Sequence, residues 1–98
     1  MVHINEELRA AKAGKAAISV LLKATPKSAV LATLGKAKNA AILNLSSGGV
    51  LNEARTYVGI ALSNVIHEHG PPTPLSIDRA KFAIEAWIRE LEASPALK

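Results

Sequence analysis

The cluster His67-Glu68-His69 is the only part of the sequence in which two histidines stand close together. Imidazole nitrogens are common metal ligands. On a helix, however, side chains two residues apart point about 200° away from each other, so these two rings cannot share one ion while the segment is helical. The histidines of a zinc protease stand four residues apart, and that spacing is absent. A histidine near a helix C-terminus also complements the helix dipole, and we therefore predict no metal site.

The segment Ser46-Ser47-Gly48-Gly49 contains the residue types of an anion-binding turn. The free N–H groups of a helix that follows glycines can hold an anion, but a phosphate-binding loop ends in Gly-Lys-Ser/Thr and this turn has no lysine. The strand–turn–helix setting of a nucleophilic serine is absent too. We interpret the segment as a capped turn between helices. The sequence has no cysteine nucleophile and no carboxylate pair placed for acid–base chemistry, so it predicts a protein that is not an enzyme and needs no cofactor.

Basic residues are concentrated in the first half of the chain. Residues 1–48 carry seven Lys and Arg against two acidic residues, a net charge of +5, while residues 49–98 carry five against six, a net charge of −1. At 100° per residue, four basic residues of the first helical segment fall within an arc of about 120°. Such an arc can follow nucleic-acid phosphates, and the alternative is a solvated face that aids solubility. The candidate nucleic-acid contacts are Arg9, Lys12, Lys15 and Lys23.

Proline, glycine and serine divide the chain into four segments. The breaks are Thr25-Pro26, Ser46 to Gly49, Gly70 to Pro74, and Ser94-Pro95. Threonine is a good N-cap and proline fits the first position of a helix, whereas glycine favours a C-cap and proline cannot continue a helix. The sequence therefore predicts helices over about 5–24, 26–45, 50–69 and 75–93.

Apolar residues recur at helical spacing, and no segment alternates with the period of a strand. With only 98 residues, the pattern predicts one domain, residues 1–98, of the all-α class with a four-helix bundle-like fold. The predicted core stripes are Ile4, Leu8, Ala11, Ile18, Leu21 and Leu22 in the first segment, Val50, Leu51, Ala54, Val58, Ala61, Leu62 and Val65 in the third, and Ile77, Ala80, Ile84, Trp87, Ile88 and Leu91 in the fourth.

Three glycines, Gly14, Gly35 and Gly59, fall inside the predicted helices. A glycine within a helix costs about 1 kcal/mol relative to alanine. Gly14 also has two alanines, Ala10 and Ala17, on its own side of the helix. A flat side lets a second backbone approach closely, so we predict that the three glycines mark points where helices cross.

Three apolar residues lie away from the predicted stripes: Leu43, Ile60 and Phe82. Single exposed apolar residues are normal, but three in a short chain suggest a second buried surface. A small bundle gains such a surface most simply by pairing with itself, and the three residues are candidate oligomer contacts. Lys38, by contrast, lies inside the stripe of the second segment, where its stem can be buried while its ammonium group stays in water.

The remaining composition restricts the class of protein. The longest uncharged run, Asn39 to Asn52, is shorter than the about 20 apolar residues of a membrane span. The N-terminus lacks the residue order of a signal peptide, and we expect a cytoplasmic protein. The predicted function is a small non-enzymatic interaction or accessory protein that forms homo-oligomers. The alternatives are a small basic nucleic-acid-binding or regulatory protein and, more weakly, a metal or small-molecule site at His67 and His69.

Overall fold

A computed structural model describes residues 4–21, 28–45, 48–66 and 73–93, which form four helices and no strand. The helices are α1 (Ile4–Leu21), α2 (Ser28–Leu43), α3 (Val50–Ile66) and α4 (Pro74–Glu92). The predicted all-α class and the four-helix organisation are confirmed. The predicted helix ends at 24 and 69, and the predicted start at 26, lie outside the described residues.

The helices form a ring of four neighbours. Helix α1 packs against α2 and α4, and α3 packs against the same two helices, so α1 and α3 lie diagonally across the bundle. Lys12 lies beside Glu92 and Lys15 beside Glu85, which shows that α1 and α4 run antiparallel. Short connections between consecutive helices produce this arrangement. None of the four helices is long and apolar enough to cross a membrane.

The predicted stripes of α3 and α4 form much of the core, in which Trp87, Leu62, Ile84 and Leu91 are fully buried. The prediction for Val50 was wrong, because its side chain is 65% exposed. It is the first residue of α3. The side chains of Ile4 and Leu22 lie outside the described part of the chain.

Two helix ends show how local hydrogen bonds set the boundaries. Helix α4 begins one residue earlier than predicted, with Pro74 in its first turn and Thr73 as the N-cap, whose Oγ1 accepts from the Ser76 N–H at 3.1 Å. Helix α2 ends two residues earlier than predicted, where the Asn44 Nδ2 donates to the Ala40 carbonyl at 2.7 Å. These contacts satisfy backbone groups that a helix end leaves without partners.

The three glycines within helices have different surroundings in the structure. A Cβ on Gly14 would lie 3.0 Å from the Cβ of Ala37, so this glycine does mark a close approach of α1 and α2. A Cβ on Gly59 would lie 3.4 Å from the Cγ1 of Ile42, also a contact with a neighbouring helix. The prediction for Gly35 was wrong, because no described atom of another helix lies within 4 Å of the position that its Cβ would take. Its side of α2 does not face another helix.

Candidate functional site

A charged network lies inside the bundle. Glu7 and Arg55 are only 1% and 4% exposed. The Arg55 Nε donates to Glu7 Oε2 at 2.8 Å and its Nη2 donates to Oε1 at 2.7 Å, which makes the pair bidentate. The indole Nε1 of Trp87 donates to the same Oε2 at 2.7 Å. The three side chains thereby connect α1, α3 and α4.

This network has the properties of a structural element rather than of a reactive group. Bidentate arginine–carboxylate pairs are among the stronger hydrogen-bonded pairs. The Glu7 carboxylate accepts three hydrogen bonds in the interior, so it has no open path to a substrate. Among the described residues, no buried side-chain nitrogen or oxygen lacks a partner. The network therefore fixes the relative positions of three helices. Candidate binding residues are found elsewhere, on the surface of the bundle.

The sequence analysis missed this pair, since it counted Glu7 only as an acidic residue of the first half. The signal was nevertheless present. Glu7 stands four residues before Ala11 on the apolar stripe of α1, and Arg55 stands three residues before Val58 on that of α3. Two opposite charges at core positions of different helices indicate a buried ion pair.

Two grooves meet at Ile60 on the outside of α3. The groove between α3 and α4 encloses about 690 Å³ and has Tyr57, Ile60 and Leu75 in its lining, with Arg79 as its charged residue. The groove between α2 and α3 encloses about 310 Å³. Its lining is Ile42, Leu45, Arg55, Thr56, Gly59, Ile60, Ser63 and Asn64. Ile60 thus forms a ridge between two depressions.

Five large apolar side chains line these grooves and are 42–59% exposed. We call them the Ile60 face, and they are Ile42, Leu45, Tyr57, Ile60 and Leu75. Phe82, which is 63% exposed, stands seven residues after Leu75 and therefore on the same side of α4. The face has contributions from three helices, and the polar residues Ser63 and Asn64 also line both grooves.

Of the three candidate oligomer contacts, Ile60 alone lines the two grooves described above. Ile60, at 58% exposure, is the centre of the Ile60 face, and Phe82 lies on the α4 row that adjoins it. Leu43 is the most exposed of the three, at 82%, but it lines neither groove. The spacing along each helix identified these residues as exposed, whereas Ile42, Leu45, Tyr57 and Leu75 were not identified.

The described residues of the basic arc, Arg9, Lys12 and Lys15, are exposed, and two of them have acidic neighbours. The Lys12 Nζ lies 3.7 Å from a Glu92 carboxylate oxygen, and the Lys15 Nζ lies 3.9 Å from one of Glu85. Arg9 is also exposed, and Lys23 lies outside the described residues. The carboxylates of α4 offset part of the charge that the arc would present to phosphates.

The remaining candidates of the sequence analysis are two histidines and two serines. His67, His69, Ser46 and Ser47 lie outside the described residues. Within the ranges that the structure does describe, no three His, Cys, Asp or Glu residues are grouped closely enough to hold a metal ion.

Comparison of the chain with protein-family models, with curated proteins and with solved structures finds no match.

Proposed function

We propose that this protein is a small non-enzymatic interaction protein of the cytoplasm that forms homo-oligomers through the Ile60 face. The observation that supports the proposal is the grouping of five half-exposed apolar side chains around two adjoining grooves. The largest contiguous apolar patch on a soluble protein is often a binding surface, whereas single scattered apolar residues need no explanation.

The Ile60 face supplies part of the area that such a contact needs. A fully exposed aromatic side chain presents roughly 150–250 Å² and an aliphatic one less, so the five half-exposed side chains present at most about 500 Å². A specific interface buries about 800 Å² on each partner. The uncharged polar residues beside Ile60, namely Thr56, Ser63 and Asn64, and the ring of Phe82 supply additional area around the apolar centre.

The distribution of charge favours a second copy as the partner. Helices α1 and α2 together carry five basic and two acidic residues, a net charge of +3. Helices α3 and α4 carry four basic and five acidic residues, a net charge of −1. Two copies that approach through α3 keep their α1 helices, which lie diagonally across the bundle from α3, away from each other and so avoid repulsion between the basic residues of α1. That arrangement leaves the basic side in water, where it keeps the oligomer soluble.

The oligomeric state tests the proposal. Light scattering of the wild type should give a molar mass above the 10.3 kDa of one chain. The double variant Ile60→Glu with Phe82→Glu should return the mass to that of a monomer, because it places charges in the contact. Its helical circular dichroism should be unchanged, since both side chains are exposed.

Val20→Glu is the matched control. Val20 is a 44% exposed apolar residue of α1 outside the Ile60 face, and its variant should keep the wild-type mass. Leu43→Glu shows whether the contact extends to the end of α2. A wild type that remains a monomer at high concentration contradicts the proposal.

A further inference from the structure

We infer that the groove between α3 and α4 is a binding site for a small monocarboxylic acid with an apolar body, whose carboxylate pairs with Arg79. The site lies within one chain, so the inference goes beyond self-association and does not depend on it. The groove encloses about 690 Å³, which is within the range of about 300–1,000 Å³ that small-molecule sites occupy.

Arg79 is the charged side chain among the described residues that line this groove. It is exposed, and no hydrogen bond or ion pair joins its side chain to another residue in the described ranges. The donors of its guanidinium are therefore available to a ligand. The planar fork that they form matches a carboxylate through two parallel hydrogen bonds, so the groove offers an organic acid a bidentate partner.

The walls of the groove suit an apolar body. Tyr57 and Ile60 of α3 line it from one side and Leu75 of α4 from the other, and Ala61, which is only 4% exposed, belongs to the same lining. Along α3 the lining extends from Tyr57 to Asn64, a length of about 10 Å at the helical rise of 1.5 Å per residue. A ligand that lies along this length removes apolar surface from water, and such burial favours binding.

Polar side chains of the lining can keep their partners when an apolar body enters. The Ser76 hydroxyl donates to the Thr73 carbonyl at 2.9 Å, and the Thr73 Oγ1 accepts from the Ser76 N–H at 3.1 Å. Asn64 is exposed and so keeps its contact with water at the edge of the groove. The ligand therefore avoids the cost of covering polar groups that have lost their hydrogen bonds.

The charge balance favours a ligand with one negative charge rather than two. Helices α3 and α4 together carry four basic and five acidic residues, a net charge of −1. A dianion such as a phosphate monoester would find one guanidinium in the described lining, and the net charge of the two helices would oppose its second charge. A monocarboxylate matches the single arginine.

The groove between α2 and α3 is a poorer site for an anion. Its charged residue, Arg55, is only 4% exposed and already forms the bidentate pair with Glu7. An anion in that groove would have to displace a buried carboxylate from its partner, which is unfavourable because Glu7 would then be left unpaired in the interior. The two grooves therefore differ in the property that a carboxylate requires.

Octanoate and octan-1-ol are matched probes, since both have an unbranched alkyl chain and they differ in the charge of the head group. Titration of the wild type with octanoate, followed by amide NMR, should give saturable shifts that are largest at Tyr57, Ile60, Leu75 and Arg79. Octan-1-ol should bind at least about tenfold more weakly, because it cannot form the charge-assisted hydrogen bonds with the guanidinium.

Three variants separate the head group from the apolar body. Arg79→Gln should weaken octanoate binding at least about tenfold and leave octan-1-ol binding unchanged. Arg89→Gln is the matched control, because Arg89 is an exposed arginine of the same helix outside the groove lining, and it should keep the wild-type affinity. Leu75→Ala should weaken the binding of both probes, because it removes part of the apolar wall. Circular dichroism of each variant checks that the fold is retained.

The results distinguish this inference from the proposed function. A wild type without saturable octanoate shifts overturns the inference, and so does equal loss of affinity in Arg79→Gln and Arg89→Gln. Shifts centred on Lys12 and Lys15 of α1 would place the anion on the basic arc and overturn it as well. A wild type that scatters light as a monomer but binds octanoate in the groove contradicts self-association and supports the ligand site.

Discussion

Glu7 and Arg55 form a bidentate ion pair across the diagonal of the bundle, joining α1 to α3 although these two helices are not neighbours. The long arginine side chain spans the interior, and the Trp87 indole adds a donor from α4. Two charges in the interior are unfavourable unless both are paired, because each has been removed from water. Together with Trp87, the pair therefore holds α1, α3 and α4 in fixed relative positions through one hydrogen-bonded network.

Removal of one partner of the pair should destabilise the fold strongly. Glu7→Gln leaves the Arg55 charge buried without compensation, and breaking a buried pair in this way costs about 3–5 kcal/mol. Glu6→Gln is the matched control, since Glu6 is the exposed neighbour and its change should cost under about 0.5 kcal/mol. Urea unfolding followed by the fluorescence of the single tryptophan measures both. Equal destabilisation by the two variants would show that the buried pair does not form.

Replacement of both charged partners should destabilise the fold by less than the sum of the two single replacements. In Glu7→Leu with Arg55→Met, neither side chain leaves an unpaired ion, so we expect a coupling energy of about 1–3 kcal/mol in the double-mutant cycle. The Trp87 Nε1–H then lacks its acceptor, and leaving a buried donor unsatisfied costs about 1–3 kcal/mol. The double variant should therefore remain below the wild type in stability. Additive effects of the two single changes would contradict a direct contact.

The two glycines Gly14 and Gly35 should respond to alanine in opposite directions. At Gly35 the added methyl meets nothing within 4 Å, so alanine should stabilise the protein by about 0.4–1 kcal/mol. At Gly14 the methyl would lie 3.0 Å from the Cβ of Ala37, an atom fixed to the α2 backbone that cannot rotate away. Overpacking of this kind costs about 1–3 kcal/mol. Thermal unfolding of the two variants tests the difference, and a higher melting temperature for both would show that α1 and α2 are not in close contact.

The basic arc should bind nucleic acid weakly. The contacts of Lys12 and Lys15 with Glu92 and Glu85 offset part of their charge, so we expect association with a DNA duplex to disappear at physiological salt. Lys12→Glu with Lys15→Glu should then change little in a binding assay at that salt. Tight binding that the double change abolishes would instead assign a nucleic-acid-binding role to the arc. In such a case the slope of log affinity against log salt should fall by about 1 for each lysine that no longer neutralises a phosphate.

The helices and most of the buried residues followed from the sequence because helix formation depends on neighbours in the chain. The spacing of Val58, Leu62 and Val65, for example, places them on one side of a helix whatever that helix packs against, and all three are buried. The N-cap at Thr73 is also a local feature, although the sequence analysis did not identify it. Exposure at Leu43, Ile60 and Phe82 followed from the same spacing.

Only the tertiary structure determined which residues of different helices are in contact. The sequence places Glu7 and Arg55 48 residues apart, and only the ring order of the helices makes one face the other across the interior. The same order sets Lys12 and Lys15 beside the acids of α4, and it places Ile42 of α2 next to Ile60 of α3. The helical period fixes the side of a helix on which a residue lies but not the neighbour that it faces, because the neighbour depends on how whole helices pack.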